Sequence, residues 1–386
     1  MQNFDEIVSI VKHRFKNQTS IPLHEPCFIG NEKKYLNSCI DSSYVSSVGE
    51  FVSSLEKEIS SYTGSNYGIA TVNGTSALSI ALKAVGVKET DEVITQALTF
   101  VATANAIVYN GAKPIFVDVD IDTMGLSPTA LENFLIENAI IRENHCYNKI
   151  SGNKISACVP MHTFGFPARI EEIVSICKKW FIPIIEDSAE ALGSYKNSKH
   201  MGVFGDVGVF SFNGNKIITS GGGGAIITND KTKATWIKHV TTTAKTAHPF
   251  NYYHDELGYN YRMPNLNAAL LSAQLENLDK FLINKRETAL YYKDAFKAIG
   301  IKLKWETAGS RANFWLNCLE MENKKDRDQF LDFSNAKGIM TRPIWTLMFD
   351  LPMYKDCIMD SQKNARFLAD RIVNIPSGIN LDFLKL

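Results

Sequence analysis

The 386-residue chain is 45% hydrophobic and carries 41 Lys+Arg against 41 Asp+Glu, so its formal net charge is zero. That length supports one large and one small domain with sizeable cores, and the neutral balance argues against a nucleic-acid or polyanion binder held by bulk charge. The seven cysteines (27, 39, 146, 158, 177, 318 and 357) are scattered without a CxxC pair, so buried thiols in a reducing compartment are expected, with neither a disulfide frame nor a metal site. The opening MQNFDEIVSIVKHRF has an early acid pair and no apolar core of a leader, and no stretch approaches the roughly 20 apolar residues of a membrane helix. A cytoplasmic protein is the expectation.

In chain order, residues 1–20 predict a short amphipathic helix or arm, with Ile7, Val8, Ile10, Val11 and Phe15 roughly on one face. Two prolines make Ile21 to Pro26 extended. Helices are predicted over 31–42 and 51–62, separated by the small-residue loop Tyr44 to Gly49. A strand over 67–72 then runs straight into Asn73-Gly74-Thr75-Ser76, where a helix begins. Such a turn offers free N–H groups, two hydroxyls and the positive end of a helix, which suit a phosphate; it equally suits an ordinary N-cap. Further strands at 93–95, 114–118 and 155–159 alternate with helical segments, the pattern of a mostly parallel sheet covered by helices.

The stretch 182–229 carries three more apolar runs. One ends on Glu186-Asp187, one empties through Ser211-Phe212-Asn213-Gly214-Asn215 into Lys216, and the third follows Gly221 to Gly224. Chemistry in open α/β sheets collects past the carboxyl ends of strands, so Asp187 and Lys216 are placed to face one ligand. From about residue 245 the pattern changes. One long helix is predicted from 264 to 292, then strands at 314–319 and 338–341 and helices at 325–336 and 361–372. The resulting division is an arm (1–20), a large domain (21–250) and a smaller α+β domain (251–386).

A lysine amine forms a Schiff base with an aldehyde cofactor, a carboxylate keeps a pyridine nitrogen protonated, and a helix-start cradle anchors a phosphate. Together these are the demands of pyridoxal 5′-phosphate (PLP). Each residue also has an ordinary reading, Asp187 as a helix cap and Lys216 as a solvated charge, and the spacings alone leave both open. Neither a Walker loop nor a GxGxxG fingerprint is present.

Five ordered motifs break the tie: Asn73 to Leu78, Thr99 to Asn105, Glu186 to Glu190, Ser211 to Lys216 and Gly258 to Arg262. Through them the chain resembles the DegT/DnrJ/EryC1/StrS sugar aminotransferases over most of its length. The resemblance implies a PLP-dependent fold type I (aspartate-aminotransferase type) α/β architecture, working as a homodimer with shared active sites. Carried over position by position, it implies Lys216 as the PLP-bearing lysine and Asp187 as partner of the pyridine nitrogen. Phe100 would cover the ring face. Gly74, Thr75, Ser76 and Ser211 would hold the phosphate, and Asn260 would reach it from the other subunit. Glu190 stands near the ring's 3-oxygen, where the family often has Gln or His. A carboxylate there is repelled by a phenolate unless protonated or turned away.

Stretches 21–26, 31–35, 45–49 and 341–345 resemble enzymes of legionaminic acid biosynthesis, and 211–218 and 341–345 those of bacillosamine. This implies amination of UDP-2-acetamido-2,6-dideoxy-4-hexulose by L-glutamate, with GDP- and dTDP-linked keto sugars as alternatives. Tyr44, Ser46, Asn215 and Arg342 are the expected sugar-nucleotide contacts. Lys216 argues against the related 3-dehydratases, which carry His there. Lys216 and Asp187 together argue against a non-catalytic binding protein on the same fold.

Overall fold

The computed structural model describes residues 4–16 and 18–383. Seven strands define its central sheet: β1 (Tyr67–Thr71), β2 (Glu92–Gln96), β3 (Lys113–Val117), β4 (Ile155–Val159), β5 (Ile185–Asp187), β6 (Val207–Ser211) and β7 (Gly224–Thr228). β3, β2 and β4 pair in parallel, β5 pairs parallel with β6, and β7 runs antiparallel between β6 and β1. Isolated parallel bridges, Cys158 to Ile184 and Met161 to Asp187, join β4 to β5. The order is therefore β3-β2-β4-β5-β6-β7-β1, with only β7 reversed.

Alternation along the strands explains why both faces are covered. Val209 and Ile226 pack with Leu78, Ala81, Ile107 and Ile237 from helices Gly74–Ala84, Val101–Tyr109 and Lys231–Thr241. Their neighbours Phe210, Ala225 and Ile227 turn to the opposite core, with Phe116, Leu271 and Phe281. The sheet thus presents the ends of β1, β2, β5 and β6 on one edge, all running the same way. Gly74, Phe100, Asp187 and Ser211 stand at or just past those ends.

A second sheet is made by Lys302–Leu303, Asn317–Glu320, Ile372–Ile375 and Arg342–Pro343, antiparallel throughout. The N-terminal helix, Phe4–Arg14, buries Ile7, Val8 and Val11 against Tyr292, Phe296, Phe330 and Val373 of this part of the chain.

Three predicted elements differ. The helix expected over 264–292 is two, Asn265–Leu275 and Leu278–Ala298. No Gly or Pro marks the break. The Asn277 amide instead donates to the carbonyl of Ala273, and Glu276 is drawn aside by Asn31 and Tyr35. The strand expected at 338–341 does not join the sheet. Residues 338–340 bond Ile21 of the N-terminal segment instead, and the sheet strand follows at 342–343. The helix expected over 361–372 stops at Ala369, and Ile372–Ile375 becomes an interior strand. No helix among the described residues is long and apolar enough to cross a membrane.

Candidate active site

The cradle at the start of the Gly74–Ala84 helix follows from close backbone packing. Thr71 and Ser211 both pair with Gly224, which brings the exits of β1 and β6 together across β7. A Cβ on Gly74 would lie 2.8 Å from the Ser211 Cβ, and one on Gly224 would lie 2.6 Å from the Asn73 carbonyl carbon. Only glycine fits at both positions. The Asn73 side chain caps the helix by accepting the Ser76 N–H at 2.8 Å. That leaves the Gly74 and Thr75 N–H groups at the open end, beside the half-buried Thr75, Ser76 and Ser211.

Asp187 ends β5 and is fully buried. The Thr103 hydroxyl donates to its Oδ2 at 2.7 Å and the Ala189 N–H to its Oδ1 at 3.2 Å. Both donors are neutral, and no Lys, Arg or His among the described residues forms an ion pair with it. Burial, only partly offset by these bonds, raises the Asp187 carboxyl above the ordinary Asp range. Such a group favours a cationic N–H partner.

Lys216 projects from the turn after β6, its own N–H donating to the Asn213 carbonyl. Its amine donates to Glu190 Oε1 at 3.2 Å and lies 4.5 Å from the centroid of the Trp315 ring. Glu190 is buried, and its other oxygen accepts the Phe164 N–H at 2.8 Å. Burial raises the Glu190 carboxyl, against the opposing pull of Lys216 and the Phe164 N–H. Phe164 has a left-handed backbone (φ 55°), unusual for a non-glycine residue and typical of strained functional loops. Its ring packs on Trp345, which also meets Phe100 edge-on. Phe100 stands 48% exposed at the start of the Val101–Tyr109 helix.

The structure thus gathers Gly74, Thr75, Ser76, Ser211, Asp187, Phe100, Lys216 and Glu190 at one edge. Asn215 joins them through its carbonyl, which accepts the Trp315 indole N–H at 2.8 Å. The remaining expected residues lie apart within a single chain. Asn260 is exposed and accepts the Arg262 guanidinium. Arg342 donates to Asn335 and to the Thr341 carbonyl. The carbonyls of Tyr44 and Ser46 are held by Asn265, on the helix turn where Asn267 grips the Ser220 and Gly222 carbonyls. Sequence reasoning missed Thr103, Phe164, Trp315 and Trp345. Thr103 had a signal in its place within the Thr99–Asn105 motif and Trp345 in the 341–345 stretch; Phe164 and Trp315 had none, being brought in by tertiary packing.

These residues fit PLP. A buried carboxylate without a cation suits a pyridinium N–H, a glycine-lined helix start suits a phosphate, and an exposed aromatic face suits a planar ring. Fold and site together define a fold type I, PLP-dependent aminotransferase. The chain belongs to the DegT/DnrJ/EryC1/StrS aminotransferase family, whose sequence profile matches residues 26–383.

Among its relatives is a GDP-perosamine synthase of Escherichia coli O157:H7, 37% identical, with 92% of this chain and 93% of that protein aligned. The putative pyridoxal phosphate-dependent aminotransferase EpsN of Bacillus subtilis (strain 168) is 34% identical over 94% and 92% of the two chains. Among solved structures, a DegT DnrJ EryC1 StrS aminotransferase from Brucella abortus superposes with a TM-score of 0.81 at 26% identity, covering 90% of each chain. Helicobacter pylori PseC, an aminotransferase involved in the biosynthesis of pseudoaminic acid, superposes with a TM-score of 0.85 over 94% and 95% of the chains. At 23% identity, that likeness speaks to the fold alone.

Proposed function

We propose that this enzyme transfers the amino group of L-glutamate to the keto carbon of a nucleotide-linked 4-keto-6-deoxy sugar. The observation that carries the reading is the placement of Lys216 and a fully buried Asp187, which makes no ion pair among the described residues, just past neighbouring strand ends, in a chain matched along nearly its whole length by this family. Within that class we assign UDP-2-acetamido-2,6-dideoxy-4-hexulose, for a surface glycan of the legionaminic acid or bacillosamine type. Support comes from the stretches at 21–26, 31–35, 45–49 and 341–345. GDP-perosamine synthases of three organisms among the relatives favour a GDP-linked keto sugar as the second reading.

PLP, when bound, supplies an electron sink for the charge that develops beside the transferred nitrogen. Asp187 keeps a proton on the pyridine nitrogen. Gly74, Thr75, Ser76 and Ser211 bind the phosphate through N–H and hydroxyl groups. Phe100 covers one ring face and excludes water from it. The Lys216 amine moves the proton between the two carbon positions that exchange the amino group. Glu190 holds that amine at the site, and its raised carboxyl lessens repulsion with the ring oxygen. Tyr44, Ser46, Asn215 and Arg342 are assigned to the sugar nucleotide.

The working unit is proposed to be a cytoplasmic homodimer, with Asn260 reaching the partner's phosphate site. The exposed loop carrying Phe250, Tyr252 and Leu257, each 78–82% accessible, supports it, since such patches mark interfaces.

The test is the absorbance spectrum of the PLP-loaded protein, followed by offering UDP- and GDP-linked keto sugars with glutamate. A visible band bleached by glutamate, and amination of the UDP-linked acetamido sugar, are expected. Amination of the GDP-linked sugar alone would transfer the assignment to the second reading. Absence of any band after adding PLP would defeat the enzyme reading of this site.

A further inference from the structure

Trp315 is gripped from several sides. Its N–H donates to Asn313 Oδ1 at 2.8 Å and its carbonyl accepts the buried Lys285 amine at 3.1 Å. The residue before it, Phe314, is left-handed (φ 50°), and the indole ring packs against Phe164. His24 also packs near the indole, its ring nitrogens closed off from solvent and without a partner. Burial, with Lys285 and Lys216 nearby, holds His24 well below its ordinary range and therefore neutral. The fixing of Trp315 delivers one indole to Lys216 twice over. The indole N–H holds the carbonyl of Asn215, the residue directly before Lys216, and the ring face meets the Lys216 amine at 4.5 Å.

A lysine side chain loses rotamer entropy when it is fixed. An amine that must repeatedly let go of its cofactor and return needs a place to wait. Glu190 offers it one acceptor, at 3.2 Å, and the Trp315 face closes another side. A cation over a desolvated indole face is held more firmly than one at the surface.

We propose that Trp315 is a positioning residue for catalysis: with Glu190 it forms the resting place of the Lys216 amine whenever that amine is not bonded to PLP, keeping it within reach of the reacting carbons. The inference rests on the assignment of Lys216 given above. It predicts that Trp315 governs rates at which the lysine acts and leaves substrate affinity alone.

The experiment compares Trp315→Leu and Trp315→Phe with the unaltered protein. The rate at which PLP-free protein takes up PLP into its lysine-bound visible band is followed by stopped-flow absorbance. The glutamate and keto-sugar half-reactions are then timed separately. Trp315→Leu is expected to slow uptake and both half-reactions about ten-fold, the size expected for a buried cation over an aromatic face, with both KM values within about two-fold. Trp315→Phe, which keeps an aromatic face but not the N–H, is expected to recover most of the loss. Uptake and half-reactions of Trp315→Leu within about two-fold of the unaltered protein would overturn the inference. So would a loss seen only as a raised KM for one substrate, which would make Trp315 a wall of the substrate pocket. Should Trp315→Leu not fold, Trp315→Met takes its place under the same criteria. Failure of the unaltered protein to take up PLP at all is a different result, and defeats the Lys216 assignment itself.

Discussion

The two sides of strand β5 teach how neighbouring acids acquire different work. Glu186 and Asp187 are consecutive and both buried, but successive strand residues point to opposite faces. Glu186 turns toward His162 Nε2, 3.1 Å away, and accepts the N–H groups of Gly202, Phe204 and Gly205 at 2.9, 2.6 and 2.7 Å. Burial pushes its carboxyl up, but His162 and these donors outweigh burial and hold it below the ordinary Glu range. Asp187 receives two neutral donors, and burial wins. One side is a finished structural knot. The other is a carboxylate whose cost of burial is only partly offset, the mark of a group waiting for a charged ligand.

The largest effect that sharpens this contrast comes from outside the strand. Lys216→Ala removes the amine proposed both to carry PLP and to move the proton, so turnover is expected to fall by at least about 10⁴ and the lysine-bound visible band to vanish. Spectra and steady-state rates check both.

Asp187→Asn comes next. Turnover is expected to fall about 10²–10³-fold, as when one electrostatic contact is removed from a transition state. The melting temperature of the PLP-free protein should hold or rise, since a costly buried charge has gone. A collapse in melting temperature would put Asp187 in the same structural class as Glu186 and break the contrast.

Glu186→Gln should do the reverse. An amide NH₂ cannot accept, so at least one of the three backbone donors loses its partner, costing about 1–3 kcal/mol. Denaturant melts should show that loss, while the folded protein keeps its turnover within a few-fold.

The smallest and sharpest test is the dependence of PLP-free stability on pH. For Glu186 the folded value lies below the unfolded one, about 4.3, so its stabilisation is present above that pH and is lost as pH falls through the folded value. For Asp187 the folded value lies above the unfolded one, about 3.9. The native carboxyl then keeps its proton where the unfolded one has lost it, and stability falls as pH rises through that window. Glu186→Gln should flatten a rise with pH, and Asp187→Asn should flatten a decline. Slopes of the same sign would break the comparison.

Much of the sheet edge was legible because its information is local. A β-branched run ending in an acid, and a Gly-Thr-Ser turn between a strand and an apolar helix period, each carry their own physical signature within ten residues. The family motifs added the roles expected of Asp187, Lys216 and Phe100. What the chain pattern did not carry was anything requiring a partner far away. The helix break at Glu276–Asn277 depends on Asn31 and Tyr35, about 240 residues earlier. The fate of residues 338–341 depends on Ile21.

The sequence by itself therefore determined a mostly parallel α/β sheet, the strand exits that carry Asp187 and Lys216, and the glycine turn at Gly74. Strand period, helix period and turn chemistry are properties of neighbouring residues. Only the tertiary structure decided that Glu186 would be satisfied and Asp187 left without a cation. It also decided that Glu190 would meet Lys216, and that Trp315, about 100 residues further on, would close over that amine. Those outcomes depend on which groups packing brings within 3–5 Å in a medium without water. There a partner's presence or absence, more than residue type, sets the state of a charge.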